Sequence, residues 1–256
     1  MQIVVPMAGL GRRFADAGYV LPKPLIPVSG LPMVVRAVQG LPAAERIVFV
    51  CHPQHLRDYP LDATLRELFP QCCVIATPGL TAGQACTVRF ADDLLDPTQP
   101  VIVAACDNTH LYDHNALAQI AQDPAIDAAV WTYRGEPRVL IAPQMYGWVK
   151  TIDGLGIEEV SVKHPISAHP IEDHVVSGTF YFRQAGVLME AIDALVTRGE
   201  RVNGEYYMDS IPNILRKRGR RSVVFEVDKY IGWGTPSDLN DYERWERYFN
   251  VVRGHS

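Results

Sequence analysis

The sequence predicts an α/β fold, a Rossmann-like and mostly parallel sheet flanked by helices with a small antiparallel lobe on the ligand side. Three observations predict it. Short β-branched apolar runs recur at Ile3–Val5, Ile47–Cys51, Val74–Ala76 and Val101–Ala105. Segments of helical period lie between them, at Met33–Gly40, Leu61–Phe69 and Gln84–Leu95, and strand alternating with helix implies parallel strands joined by crossovers. From Val139 to Phe182 the runs become shorter and more polar, with a turn at Asp153-Gly154, which reads as antiparallel pairing.

Taken in order, Gln2–Pro6 is a short buried strand, and Gly9 and Gly11 then let the backbone turn tightly enough to aim N–H groups at an anion. Arg13 and Lys23, the latter between Pro22 and Pro24, place two cations beside that loop. The helix expected over Gln84–Leu95 carries Ala85, Val88, Ala91 or Asp92, and Leu95 at spacings near three and four, with Gly83 placed to start it. Asp113 is a good N-cap for a helix through Gln122, and Asp127–Tyr133 is a further strand.

In the second half, Tyr146–Ile152, Ile157–Lys163 and Val175–Phe182 are predicted strands, with Pro165–His174 a loop by composition. Ala185–Arg198 and Tyr207–Arg218 follow helical periodicity, Ser222–Val227 is a strand, and Ser237 is placed to cap a last helix over Asp238–Tyr248. In parallel sheets ligands sit beyond the carboxyl ends of the strands, so the loops after Pro6 and after Ala105 are expected to face one crevice.

A chain of 256 residues with 48% hydrophobic and 21% charged residues can bury a full core, and a single domain over 1–256 is the default, with halves of about 1–135 and 136–256. The net charge of −5 argues against nucleic acid as the partner, so a phosphate ligand has to be held by local cations. The five cysteines, Cys51, Cys72, Cys73, Cys86 and Cys106, lack C-x-x-C or zinc spacing, which suits a reduced, cytoplasmic setting. No run approaches the roughly 18 apolar residues of a membrane span, so no membrane partner is expected.

The glycine loop, Arg13 and Lys23 together have the parts of a triphosphate clamp, and Asp107, at the end of VIVAACDN, is a candidate ligand for a hard divalent cation, for which one or two carboxylates suffice. The opening PMAGLGRRF…LPKPLIPVSGLPMV resembles the sugar-phosphate nucleotidylyltransferases, or nucleoside-diphosphate-sugar pyrophosphorylases, with their G-x-G-[TS]-R and later P-K-P. The similarity continues through LTAGQACTV, VIVAACDN, VSVKHP, VVSGTFYFR, NGEYYMDSI and GWGTPSDL.

The resemblance implies an Mg²⁺-dependent nucleotidyltransferase that joins an NTP and a sugar 1-phosphate, giving an NDP-sugar and pyrophosphate for nucleotide-sugar and polysaccharide biosynthesis. It implies nucleotide contacts from Ala8, Gly9, Gly11, Arg12, Gly83 and Gln84, and catalytic roles for Arg13 and Lys23 on the transferring phosphates. It places Asp107 on Mg²⁺, with Lys163, Gly178 and Glu205 on the acceptor. The first half would bind nucleotide and the second the acceptor.

Two departures stand out. Arg12 replaces the family's usual Thr or Ser, and Gly232 stands where many members carry a second metal-binding Asp, with Asp228 roughly 13 Å away along extended chain. Other readings therefore stay open: a cytidylyltransferase for a non-sugar acceptor, a glycosyltransferase, which needs a D-x-D where this chain has Cys106-Asp107-Asn108, or a silent binding homologue.

Several conspicuous residues have ordinary explanations. His110 and His114, four apart with Asp113 between them, invite a transition-metal reading but are expected to lie in a solvated loop, and the five-residue spacing of His164, His169 and His174 matches neither one helix face nor one strand face, so no chelation is expected there. The basic run Arg216–Arg221 suits a helix C-terminus capped at Gly219. Cys106 reads as a small buried residue. Tyr242, Trp245, Tyr248 and Phe249 on the last helix are expected to pack either inward or on a second copy in a homo-oligomer.

Overall fold

The computed structural model describes residues 1–254. The first part of the chain runs β1 (Gln2–Met7), α1 (Arg12–Asp16), β2 (Pro27–Val28), β3 (Leu31–Pro32), α2 (Met33–Gln39), β4 (Arg46–Cys51), α3 (Pro53–Asp58), α4 (Leu61–Leu68), β5 (Cys73–Ala76), α5 (Gln84–Arg89) and β6 (Val101–Val103). It continues through β7 (Asn108–Leu111), α6 (His114–Gln122), β8 (Ala128–Tyr133), β9 (Gly147–Ile152), β10 (Gly156–Val162) and β11 (His174–Phe182). The last elements are α7 (Ala185–Arg198), α8 (Ile211–Lys217), β12 (Ser222–Glu226), β13 (Lys229–Gly232) and α9 (Pro236–Gly254).

Nine strands form one sheet in the order β5-β4-β1-β6-β11-β8-β12-β10-β9. The apolar runs that read as parallel strands are parallel, β1 pairing with β4 and β6, and β4 with β5. β11 enters the middle of the sheet antiparallel to β6 and β8, and β9 and β10 form an antiparallel edge whose β9 also reaches β11. The expected antiparallel segment thus extends the same sheet. Two small two-stranded sheets, β2 with β3 and β7 with β13, stand apart from it.

Alternation along the strands divides the core between the two faces of the sheet. Val4, Val48, Val103 and Phe180 face a cluster with Leu188, Ile192 and Leu195 of α7. Ile3, Val5, Phe49 and Ile102 face the opposite cluster with Val34, Val35 and Leu65 of α2 and α4. A third cluster, Phe14, Ile26, Met33, Trp233 and Leu239, ties α1 and the Lys23 loop to α9. It anchors the segment that carries the first cations.

Several boundaries differ from the sequence expectation, each for a local reason. The Gln84–Leu95 segment is helical only to Arg89; after it the backbone tightens to i→i+3 bonds, Leu94 N to Ala91 O and Leu95 N to Asp92 O. The Tyr207–Arg218 helix begins at Ile211, after a 3₁₀ turn over Met208–Ser210, with Pro212 in its first turn. The last helix is capped by Thr235 and not by Ser237. Thr235 Oγ1 accepts from Asp238 N (3.2 Å) while Asp238 Oδ2 accepts from Thr235 N (3.0 Å), with Pro236 as first helical residue.

Along that helix, Tyr242 packs inward on Trp233 with centroids 5.5 Å apart. Trp245, Tyr248 and Phe249 keep 60%, 58% and 53% of their surface exposed. The basic run lies on the surface as expected: Lys217 pairs with Glu200, Arg218 with Glu190 and Arg220 with Asp127. Among the described residues no helix is long and apolar enough to cross a membrane.

Candidate active site

The loops after β1 and after β6 converge at one end of the sheet, beside a cavity of about 790 Å³. Met7 and Ala8 are buried and end the strand, after which Gly9 is exposed with nothing within 4 Å of its Cβ position. Gly11 adopts a left-handed φ of 62°, and its Cβ position lies 3.0 Å from Lys23 Cβ. That close approach brings the Lys23 loop against the glycine turn. The short α1 that follows was not expected from sequence; it exposes both Arg12 and Arg13, and of these two Arg13 lines the cavity.

Lys23 reaches across to Asp107: its Nζ bonds Asp107 Oδ2, lies 3.4 Å from Gly234 O and stands 5.8 Å from the Phe14 ring centroid. Burial works against the Lys23 charge, but Asp107 more than offsets it, so the ammonium is held above its ordinary range. Asp107 is fixed in turn by its backbone, whose carbonyl accepts from Trp233 N at 2.7 Å. Beside it Cys106 has its thiol pushed up to about 12 by burial and by the Asp107 charge, so it is no nucleophile.

Gly178 interrupts β11 with φ 90° at a register shift between Val176 and Phe180. Its Cβ position lies 3.4 Å from Ala105 Cβ, and the neighbouring Ser177 O accepts from Asn108 Nδ2 at 2.9 Å. The bulge therefore turns its backbone toward the Asp107 loop. Ser177 Oγ is buried, has no hydrogen-bond partner and belongs to the cavity wall.

Lys163 lies across the cavity from this end, with a left-handed φ of 70°, a costly conformation for lysine. Its Nζ donates to Met145 O at 2.5 Å and stands 5.1 Å from the Tyr207 centroid. Burial, with a smaller push from Arg13, lowers its pKa against the opposing charge of Asp209. In the segment that follows Asn203, Asp209 is the acid that faces the cavity. Glu205, the expected acceptor ligand, is exposed on the Asn203-Gly204 turn, where its N–H and carbonyl bond Val202, and it is not in the cavity lining.

Burial raises the Asp209 carboxyl to about 6, with Lys163 pulling the other way. The sign of the linkage follows: the native state holds the proton more tightly than the unfolded chain, so ionisation costs stability from about pH 4 upward, fully so above about pH 6. Asp209→Asn is expected to raise Tm by roughly 6–12 °C at pH 8, from about 1.4 kcal/mol per pKa unit and roughly 2–4 °C per kcal/mol. The gain should vanish below pH 4, and scanning calorimetry at the two pH values checks it.

Gly83 is the N-cap of α5, which begins at Gln84, next to the Tyr206 segment. Ala85 N donates to Tyr206 O at 3.0 Å, and Tyr206 N to Ala82 O at 2.8 Å. Gln84 lines the cavity, whereas Gly83 supports it from behind through this contact. Sequence reasoning missed the aromatic wall opposite: Tyr133 and Tyr230 are stacked, with centroids 4.3 Å apart, and Tyr146 lines the same side. The missing signal was β13, which carries Tyr230 and was not recognisable as a strand.

No cluster of three or more His, Cys, Asp or Glu side chains arranged to hold a metal occurs among the described residues. His110 is a core residue packed on Trp131 at 5.1 Å, and burial lowers its pKa to about 3. Asp107 offers one carboxylate to the cavity that Arg13 also lines. That fits Mg²⁺ in the minimal form in which substrate phosphates and water complete the octahedron.

The MobA-like NTP transferase domain model matches residues 3–197. Among solved structures, the nucleoside-diphosphate-sugar pyrophosphorylase from Vibrio cholerae RC9 superposes with a TM-score of 0.76 at 21% identity, over 94% of this chain and 99% of that one. The inositol-1-phosphate CTP transferase from T. maritima gives 0.70 at 15% identity, over 94% and 93%. Both share the fold. No curated protein matches the chain.

Proposed function

The chain belongs to the MobA-like NTP transferase domain family, and from that premise we propose that it transfers a nucleotidyl group from an NTP to a sugar 1-phosphate, releasing pyrophosphate. The observation that carries this reading is the convergence of Arg13, Asp107, Lys163 and Gly178 on one cavity, with Lys23 bound to Asp107. Arg13 and Lys163 on the wall of a cavity of about 790 Å³, with Lys23 beside it on Asp107, suit two phosphorylated substrates better than one neutral ligand. We also read residues 1–256 as one domain, because a single sheet incorporates strands from both halves.

In the proposed reaction an oxygen of the acceptor phosphate attacks the α-phosphorus, and the bond from that phosphorus to the β-bridging oxygen breaks, releasing pyrophosphate. Both reactants are anionic, so catalysis consists of neutralisation and in-line placement, with no covalent enzyme intermediate. Arg13 and Lys23 neutralise the triphosphate, and Lys163 with the Gly178 N–H holds the acceptor phosphate. Asp107 would hold Mg²⁺, which when bound neutralises phosphate oxygens. Gln84 offers both donor and acceptor groups to a base.

A second reading of the acceptor, a phosphorylated compound that is not a sugar, is favoured by the aromatic wall of Tyr133, Tyr146 and Tyr230 with Glu136 beside it. Ring faces next to an acid suit an alkylammonium group as well as they suit sugar C–H groups. A matrix of the common NTPs against sugar 1-phosphates and small alkylamine phosphates, assayed for pyrophosphate, tests both. Release with a sugar 1-phosphate supports the first reading, release only with an amine phosphate the second, and none with any pair refutes nucleotidyl transfer.

A further inference from the structure

We propose that Trp245 and Phe249 form an outer acceptor subsite, which takes a C–H-rich unit, a second sugar ring or a hydrocarbon arm, joined to the unit that carries the phosphate. The inference rests on the nucleotidyl-transfer reading and concerns how long its acceptor is.

Asp238, Tyr242, Trp245 and Phe249 line the same cavity as Asp107, and their spacing of four, three and four puts them on one stripe of α9. The stripe starts beside Asp107, because α9 begins two residues after Gly234, whose Cβ position lies 3.4 Å from Asp107 Oδ2. At the rise of an α-helix, Trp245 and Phe249 stand roughly 14 and 20 Å along the axis from Pro236. Side chains lean back toward the helix N-terminus, which shortens those spans only in part. The wall therefore runs past the reach of a phosphate and the single ring attached to it.

The inner half of the stripe is used up within the protein. Asp238 Oδ2 accepts from Thr235 N and Oγ1, and the Tyr242 hydroxyl lies 2.8 Å from Ser29 Oγ while its ring packs on Trp233. The outer half is not. The Trp245 and Phe249 rings lie near-parallel with centroids 6.0 Å apart, their other ring contact being Tyr248, and more than half of each remains exposed. A helical stripe turned toward its own protein is ordinarily buried; here it is left open to a cavity.

The chemistry of this end differs from that of the other. Arg138 donates to Asp238 at 3.2 Å and to Asp241 at 2.9 Å, which spends its charge and fastens the segment carrying Pro137 and Met145 against α9. Glu136 and Lys229 pair with each other at 3.6 Å. What Trp245 and Phe249 offer is ring faces, which gain from dispersion and burial against C–H groups and hold no phosphate. Arg13 and Lys163 serve the anionic end, so the cavity suits a ligand that is charged at one end and C–H-rich at the other. The ledge stands on a continuous helix of 19 residues and is in place before the ligand arrives.

Trp245 reports on its own coverage, because Trp131, Trp148 and Trp233 are buried and it is the exposed member of the four tryptophans. Acrylamide quenching of tryptophan fluorescence reads it without an activity assay, in the presence of an NTP and with divalent cations chelated to prevent turnover. The probes are matched short and long phosphates: glucose 1-phosphate with maltose 1-phosphate, N-acetylglucosamine 1-phosphate with chitobiose 1-phosphate, and ethyl phosphate with phenylbutyl phosphate. The free protein should be quenched readily, and Trp245→Phe should remove that component. At least one long probe should lower the quenching constant by about half or more while its short counterpart does not, and Phe249→Ala, at an exposed position, should weaken the long probe relative to the short by about tenfold. Protection by a disaccharide phosphate alone identifies a second ring, and protection by phenylbutyl phosphate alone a hydrocarbon arm. Protection by no probe, or by short and long probes alike, would overturn the proposal. So would protection without any probe as protein concentration rises, which would put a second copy on α9. Each of these overturning results would leave nucleotidyl transfer to a short acceptor standing, whereas a substrate matrix that yields no pyrophosphate would remove that reading without touching the quenching result.

Discussion

Lys23→Ala is expected to lower kcat by about two to three orders of magnitude, the range seen when one preorganised electrostatic donor is removed from a dry site. Lys23 sits in a loop braced by Pro22 and Pro24 and pinned against Gly11, so its ammonium is held in place before substrate arrives. Its loss removes charge from the triphosphate and leaves Asp107 without its partner, so two anionic groups would face each other. The fold should survive, because Leu25, Ile26 and Phe14 keep the loop packed. Steady-state kinetics on a variant with a wild-type circular dichroism spectrum make the comparison; near-normal kcat would remove Lys23 from the catalytic role.

Gly83→Ala should have the largest effect on stability of any single methyl in the site. The added Cβ would lie 2.5 Å from both the N and the O of Tyr206, backbone atoms that no rotamer change can move, at a φ of 125° that L-residues rarely adopt. Relief requires separating α5 from the Tyr206 segment and breaking the paired bonds between Ala82, Ala85 and Tyr206. Strain and overpacking of this kind cost about 3 kcal/mol or more together, a fall in Tm of roughly 6–12 °C. Nucleotide affinity should fall with it, since Gln84 is on the same turn. Gly9→Ala, with nothing within 4 Å of the new methyl, is the matched control and should leave Tm unchanged within about 1 °C; equal losses in both would contradict the packing argument.

The parts of the structure legible in the sequence are those where local pattern and tertiary role agree. The runs Ile3–Val5, Ile47–Cys51 and Val101–Val103 are apolar because both faces of their strands are covered, and the parallel pairing follows. Glycines at forced positive φ, Gly11, Gly83 and Gly178, stand out because alternatives are strained there. The hidden parts depend on partners distant in sequence. β7 and β13 carry little apolar alternation of their own, and each is a strand because it meets the other.

The candidate site divides in the same way. Arg13, Lys23 and Asp107 could be read because a turn and a strand end carry them; in the structure Arg13 and Asp107 line one cavity and Lys23 is bound to Asp107. Asp209 and Glu205 lie four residues apart, and the 3₁₀ turn over Met208–Ser210, invisible in the pattern, is what sends Asp209 inward while Glu205 stays on the surface. Tyr230 was silent in the sequence because it joins the cavity wall through its stack on Tyr133, a pairing of distant residues that spacing cannot encode.

The fate of the α-phosphorus tests the central proposal most directly. With an active NTP–acceptor pair, an NTP labelled at the α-phosphorus should pass its label quantitatively into the NDP-linked product, and the pyrophosphate released should carry none. Label remaining in free nucleotide, or transfer to the acceptor of a γ-phosphoryl label, would contradict nucleotidyl transfer.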